Sequence, residues 1–297
     1  MKIVKLKGGL GNQMFQYAFA KNIEMLTGEE VKLDISAYEM RKNDNIRKPR
    51  IFDFKIAENI ASKKQIEQIC KLNHDYDLLS HQYKLSIQLE NFINRDYFFR
   101  HDCSYIPIAQ IYKYKYFDGY WQAWRYVDAI KDELRKEFIP KTNLSIKSSY
   151  MIETLKNQNS VFIGIRKGDY SSSWCTRRKY GEFNIQYYIK SMKYISNFIA
   201  NPIFYIFSND IEWVKKNMAF DGFNICYRNK EDQISDFEEV LLMASCRHSI
   251  IVNSTFHWWG AWLNDYPKKI VIAPDKWFAN GWKDEIIPPD WIKMRRQ

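Results

Sequence analysis

An α/β fold made of two doubly wound halves is what the sequence predicts, on three observations. Residues 2–7 run through Gly8-Gly9-Leu10-Gly11 into helical spacing that stops at Thr27-Gly28, and a second strand pattern follows over 31–35. That order of strand, glycine turn, helix and strand opens a doubly wound parallel sheet. The second half repeats the rhythm: strand-like runs at 161–165, 203–207 and 249–252 each lead through a polar turn toward helical spacing. Apolar runs of this length, bounded by turn residues, read as buried parallel strands. The third observation is the break between the halves. Pro140 and the polar stretch 141–149 mark it, so domains of 1–148 and 149–297 are expected.

The bulk properties narrow the class. A chain of 297 residues suits two domains. Hydrophobic content of 46% excludes a disordered chain, and an aromatic content of 16% offers stacking faces for sugars or bases as well as core. The net charge of +10 favours anionic partners: nucleic acid, phosphorylated metabolites or acidic lipid headgroups. Five scattered cysteines without a C-x-x-C pair argue against a disulfide framework or a zinc knuckle. The first residues are too charged for a signal peptide, and no apolar run approaches a membrane span. A cytoplasmic protein is expected, with peripheral attachment at the inner membrane face left open.

The remaining elements follow in order. Asp34 stands about 20 residues past the glycines, where a dinucleotide fold keeps its ribose-binding acid. However, Met14 occupies the third glycine position and Asn12-Gln13 puts two amides at the helix start. Residues 41–50 read as a basic loop, and 60–72 have helical spacing. Asp75 and Asp77 form an Asp-x-Asp in a polar link with no strand before it, which argues against a metal site. The alternation of aromatic and basic residues over 112–117 describes a strand with one buried face, or else a nucleic-acid stacking surface. A helix over 124–138 closes the first half. In the second, helices are expected over 184–200, 211–217 and 236–246 and from His257, with a last strand at 269–273.

Three strand ends carry polar side chains: Arg166, Lys167 and Asp169; Ser208 to Asp210; and Asn253, Ser254 and Thr255. In a parallel sheet they share one edge, where ligands bind. Each is also an ordinary helix-capping sequence. Their coincidence with a glycine turn in the other half favours a ligand cleft between two α/β domains.

The motifs that carry these residues resemble those of glycosyltransferase family 11, the α-1,2-fucosyltransferases of bacterial and animal glycans. The resemblance covers nearly the whole chain. It rests on Gly8-Gly9-Leu10-Gly11-Asn12-Gln13-Met14-Phe15-Gln16-Tyr17, on Asp118-Gly119-Tyr120-Trp121-Gln122, on Phe207-Ser208-Asn209-Asp210-Ile211-Glu212-Trp213 and on Asn253-Ser254-Thr255-Phe256-His257-Trp258-Trp259-Gly260-Ala261-Trp262-Leu263, with Pro274-Asp275-Lys276-Trp277-Phe278 at the end. One motif departs. The family box reads His-x-Arg-Arg-x-Asp-Tyr; here Gly164 stands for the histidine and Lys167 for the second arginine, while Arg166, Asp169 and Tyr170 match. Lysine keeps the charge and loses the bidentate fork.

The resemblance implies a GT-B-like fold of two facing Rossmann-like domains with a cleft between them. It implies GDP-β-L-fucose as donor substrate, held by the second domain, and inverting transfer without metal or other cofactor to a glycan hydroxyl, O2 of a galactose. Residues 1–148 would then face the acceptor, an oligosaccharide or a lipid-linked glycan of O-antigen or capsule. Arg166 and Asp169 are the expected catalytic residues. Asn12, Gln13, Lys167, Ser208, Asp210, Glu239, Asn253, Ser254, Thr255 and Phe256 are expected on the donor. Asp118, Tyr120, Gln122 and His257 are weaker acceptor-side candidates, with Asp169, Asp118 and His257 open as the base. Trp258 and Trp259 could flank a sugar, but adjacent helix residues diverge, so at least one belongs to the core. Fucose transfer with another linkage is the alternative. A basic nucleic-acid binder is the remote one, and no nucleic-acid partner is expected.

Overall fold

The computed structural model describes residues 1–39, 49–72, 81–100, 102–166, 178–228 and 234–296. The basic loop expected over 41–50 falls outside these except at its end, as do Asp75 and Asp77 and the segment 171–177. The chain divides into two compact units: 1–141 with 283–286, and 142–282 with 287–297. The expected boundary at 148/149 would cut a helix. Ser145 caps Ile146–Asn157, its Oγ accepting from Ser148 N at 3.1 Å, and Ser145 N donates to Glu238 in the second unit.

The first unit holds a four-stranded parallel sheet in the order β2-β1-β4-β3: β1 (Lys2–Lys5), β2 (Val31–Asp34), β3 (Tyr97–Arg100) and β4 (Tyr116–Gly119). The helix Leu10–Thr27 follows the glycine turn and ends at Gly28 in the left-handed region, φ 68°, a conformation glycine adopts without strain. Much of this helix is buried, so its polar side chains need partners inside. Gln16 accepts from Lys7 N and donates to Gly119 O, while Asn22 donates to Tyr126 O. Trp121 takes a positive φ of 55° and stacks on Phe19 with centroids 3.8 Å apart.

Two expectations change here. The 112–117 alternation is not one strand: Tyr112 caps the short helix Ile108–Ile111, and pairing begins at Tyr116. The single helix over 124–138 is two, Trp124–Asp128 and Lys131–Glu137, broken at Ile130 (φ −132°, ψ 29°).

The second unit holds a six-stranded parallel sheet in the order β10-β9-β8-β5-β6-β7. Its strands are β5 (Ser160–Ile165), β6 (Ile203–Ser208), β7 (Asn224–Tyr227), β8 (His248–Ile250), β9 (Val271–Pro274) and β10 (Ile292–Met294). The last strand is therefore β10, not the run at 269–273. β5 is central and buried throughout, with β6 on one side and β8 on the other. Val161, Ile163, Ile206 and Ile250 pack with Tyr187 and Met192 of the helix Ile185–Ser196. On the helix Thr255–Leu263, Trp258 and Trp259 are both fully buried and pack with Trp262. Neither can flank a sugar. Gly260 lets this helix approach Asp236–Ser245, because a Cβ there would lie 2.6 Å from Met243 Cβ.

Candidate active site

All six strands of the second sheet point the same way, so their polar ends collect at one edge. Arg166 follows β5. Ser208 ends β6 directly opposite Ile165. Arg228 follows β7, and β8 continues through Asn253 and Ser254 into the helix Thr255–Leu263.

Hydrogen bonding sorts these residues into two groups. Several are committed to the scaffold. Ser208 Oγ accepts from Asp210 N at 3.1 Å, and Asp210 Oδ1 accepts from Trp213 N at 3.1 Å, capping Ile211–Asn217. Asn253 Nδ2 donates to Tyr180 O at 2.8 Å and Trp277 O at 3.0 Å, tying two loops to the strand end. Glu239 pairs with Arg228 at 3.1 Å, and the guanidinium lies 6.0 Å from the Phe207 ring. Burial raises the Glu239 carboxyl above the usual range, against the lowering charge of Arg228. Sequence reasoning missed Arg228, because the strand that delivers it is only Asn224–Tyr227 and half-buried.

The other group lies at the N-terminus of Thr255–Leu263, where His257 feels the charge of Arg166. Ser254 sits at the N-cap position, but its Oγ does not cap the helix; it is buried without a hydrogen-bond partner. His257, in the first turn, is buried, and its Nδ1 is likewise without one. Burial, then the charge of Arg166, lowers the imidazole to about 3, so the ring is neutral near pH 7. A helix N-terminus adds partial positive charge. Thr255 and Phe256 are half-buried there. A cation, a hydroxyl, an imidazole and a helix N-terminus are the kinds of group that bind anions in proteins. His257, expected on the acceptor side, thus belongs to the second unit's strand edge.

In the first unit, the expected residues are largely bound to their own scaffold. Gln13 is fully buried; its Nε2 donates to Gly8 O and its Oε1 accepts from Ile51 N. Gln122 donates to Asn12 Oδ1 at 2.7 Å. Asp34 accepts from Ser36 N and from the Tyr116 hydroxyl, so it is not poised for a ribose. Asp118 has no exposed surface. It pairs with Lys7 and accepts from the hydroxyls of Tyr83 and Tyr97, each at 3.0 Å. Burial pushes its carboxyl up, but the charges of Lys7 and Lys5 outweigh this and hold it at about 2. A sealed, paired carboxylate cannot take a proton from a bound hydroxyl, so Asp118 leaves the candidate bases. Tyr120 is half-buried, with Lys7 Nζ 5.1 Å from its ring centroid. Lys167 and Asp169 lie outside the described residues. Among those described, no three His, Cys, Asp or Glu side chains come together as a metal site would require, and no helix is long and apolar enough to cross a membrane.

Two α/β units, each built on a parallel sheet, with polar groups gathered at a strand edge of the second, define the class as a GT-B-like glycosyltransferase. The chain belongs to glycosyl transferase family 11, whose family model matches residues 1–295. An Escherichia coli alpha-1,2-colitosyltransferase is 30% identical, the alignment covering 99% of each chain. The O-antigen biosynthesis glycosyltransferase WbnK of E. coli is 28% identical over 97% of this chain and 99% of its own. The galactoside alpha-(1,2)-fucosyltransferase 1 of Saimiri sciureus is 24% identical over 59% of this chain and 50% of its own. Among solved structures, NodZ alpha-1,6-fucosyltransferase soaked with GDP-fucose aligns with a TM-score of 0.51 at 11% identity, covering 91% of this chain and 94% of that one. This last similarity concerns the fold.

Proposed function

We propose that the protein transfers L-fucose from GDP-β-L-fucose to O2 of a galactose in a glycan acceptor, with inversion and without a metal. The observation that carries this reading is the cluster of Arg166, Ser254 and His257 at the N-terminus of Thr255–Leu263. As the bond from the sugar to the diphosphate breaks, negative charge gathers on GDP and the fucosyl carbon becomes oxocarbenium-like. Preorganised donors in a water-poor site stabilise that charge most effectively. Arg166 supplies a fork for two phosphate oxygens. Ser254, Thr255 and the Phe256 backbone supply the helix end, and Lys167 adds a second cation. The nucleoside is assigned to the side of the edge where Glu239 and Arg228 pair. Asp169 is the remaining candidate to receive the acceptor proton or to hold Arg166. The first unit, through Asn12, Tyr120 and Gln122, is assigned to the acceptor, a lipid-linked or free oligosaccharide reached at the inner membrane face.

A second reading, that the donor sugar is colitose, the 3-deoxy counterpart of fucose, is favoured by the 30% identical relative. Incubation with GDP-fucose or GDP-colitose and galactose-terminated oligosaccharides, followed by NMR of the product, separates the two. Fucose appearing on O2, undiminished by EDTA, is the expected result. Arg166→Ala should leave less than about a tenth of the activity; a larger residue of activity refutes the charge-stabilising role.

A further inference from the structure

The imidazole of His257 lies against Gly164. A Cβ at position 164 would sit 2.4 Å from His257 Nδ1 and 2.5 Å from its Cγ, well inside contact distance. The ring therefore occupies space that any other residue at 164 would fill. Gly164 is the buried penultimate residue of β5, two residues before Arg166, where a glycine contributes nothing to strand packing. Its φ is not in the left-handed region, so backbone conformation does not require it. What requires it is the ring. Gly164 is also the position at which the box of this chain departs from histidine.

The ring is unusually placed for a structural histidine. Buried polar atoms are almost always hydrogen-bonded, and leaving one unmet costs about 1–3 kcal/mol. His248 shows the ordinary case in this same sheet, its Nδ1 accepting from Ile270 N at 3.0 Å. His257 Nδ1 has no such partner, and neither has Ser254 Oγ three residues earlier. Two unmet polar atoms at a helix N-terminus, one of them on a ring beside an arginine, are what a site shows when its anion is a ligand.

We propose that His257 is a donor-binding residue, seated by Gly164, whose imidazole donates an N–H to the diphosphate of the nucleotide-sugar beside Arg166. This deepens the proposed function and rests on it. An anionic oxygen only accepts, so the ring nitrogen that meets it carries the proton. A neutral donor adds direction to the site without repelling Arg166. Gly164 and His257 then act as one unit: the first has value only while the second is present.

Calorimetric titration with GDP and with guanosine tests this on the wild type, His257→Ala, His257→Asn, Gly164→Ala and the Gly164→Ala/His257→Ala double variant, with thermal melts alongside. His257→Ala should weaken GDP about tenfold, as for loss of one hydrogen bond to a charged group, and leave guanosine unchanged. Gly164→Ala should displace the ring and weaken GDP to a similar degree, yet add less than about twofold in the His257→Ala background. His257→Asn, whose amide reaches the Nδ1 position, should recover some of the loss and guards against a variant that fails to fold. Equal losses for GDP and guanosine, or additive effects of the two substitutions, overturn the proposal. GDP affinity that His257→Ala leaves untouched overturns it alone, whereas a wild-type protein without affinity for GDP overturns the donor reading as well.

Discussion

Replacing Asp118 with asparagine should destabilise the first unit severely while sparing the chemistry. The carboxylate has no exposed surface, and Lys7 is nearly as deep. One oxygen meets the Lys7 ammonium and the other receives the hydroxyls of Tyr83 and Tyr97. Asparagine keeps the shape and can still accept from a tyrosine, but it leaves the ammonium without a counter-charge. Breaking a buried pair from one side costs about 3–5 kcal/mol, most of it the penalty of the stranded charge. With a urea m-value of roughly 3 kcal/mol/M, the midpoint should fall by about 1 M or slightly more. Adding Lys7→Met removes the stranded charge, so the double variant should regain more than half of the loss. At low temperature, where the single variant is still folded, its turnover should stay within about fivefold of wild type. A loss under about 1 kcal/mol would mean that the pair behaves like an exposed one. A hundredfold fall in turnover at unchanged stability would return Asp118 to the role of base.

Three further outcomes are expected. His248 is buried, and burial followed by the charge of Arg247 lowers it to about 4. The folded state therefore binds fewer protons than the unfolded one between about pH 4 and 6.5, so stability rises with pH across that window; thermal melts should show up to about 3 kcal/mol lost on acidification, with His257 acting in the same direction. His248→Asn should remove the share of that dependence due to His248 and leave that of His257. Gly260→Ala should cost about 2 kcal/mol, because its Cβ would press on Met243 Cβ and push the two packed helices apart; a melt unchanged within a degree refutes this contact. Trp258→Ala should cost about 3–5 kcal/mol, and Trp258→Phe, which remains foldable, should lower the melting temperature without changing the KM for the acceptor. A selective rise in that KM would mean the ring touches sugar after all.

The strands at the centre of the second sheet are legible because burial on both faces demands nearly continuous apolar runs. Residues 161–165, apolar apart from Gly164, and 203–207 satisfy that demand with Val, Ile, Phe and Tyr, and they lie in β5 and β6. Edge strands face no such demand. β7 is half-buried and β10 has only three residues, so neither imposes a pattern. The helix His81–Ile93 is obscured for the opposite reason: Tyr83 and Ile87 are buried while Leu85, Leu89 and Phe92 are exposed, so apolar residues occur on both faces and blur the period. Ile146–Asn157 buries only Ser148 and Leu155, and reads as a polar linker. β3 is hidden because an aromatic run such as 97–100 fits a loop or a strand equally until β4 is placed beside it.

The candidate site is legible to a different depth. Sequence alone delivers polar residues to strand ends, because both caps and ligand sites draw on Ser, Thr, Asn and Asp. It cannot say which of the two a given side chain serves, since that depends on which backbone groups already have partners. Asp210 and Asn253 are spent on Trp213 N and on two loop carbonyls, Gln13 on Gly8 O and Ile51 N. Ser254 occupies a capping position and caps nothing. The distinction has a physical consequence. Substituting a residue of the first kind should reach catalysis only through stability, whereas substituting Ser254 should relieve an unmet buried group and leave the fold as stable or more so, at the expense of donor affinity. A Ser254→Ala variant with a raised melting temperature and a weakened GDP affinity would therefore mark the boundary between scaffold and site. One that melts earlier with GDP affinity intact would move Ser254 into the scaffold.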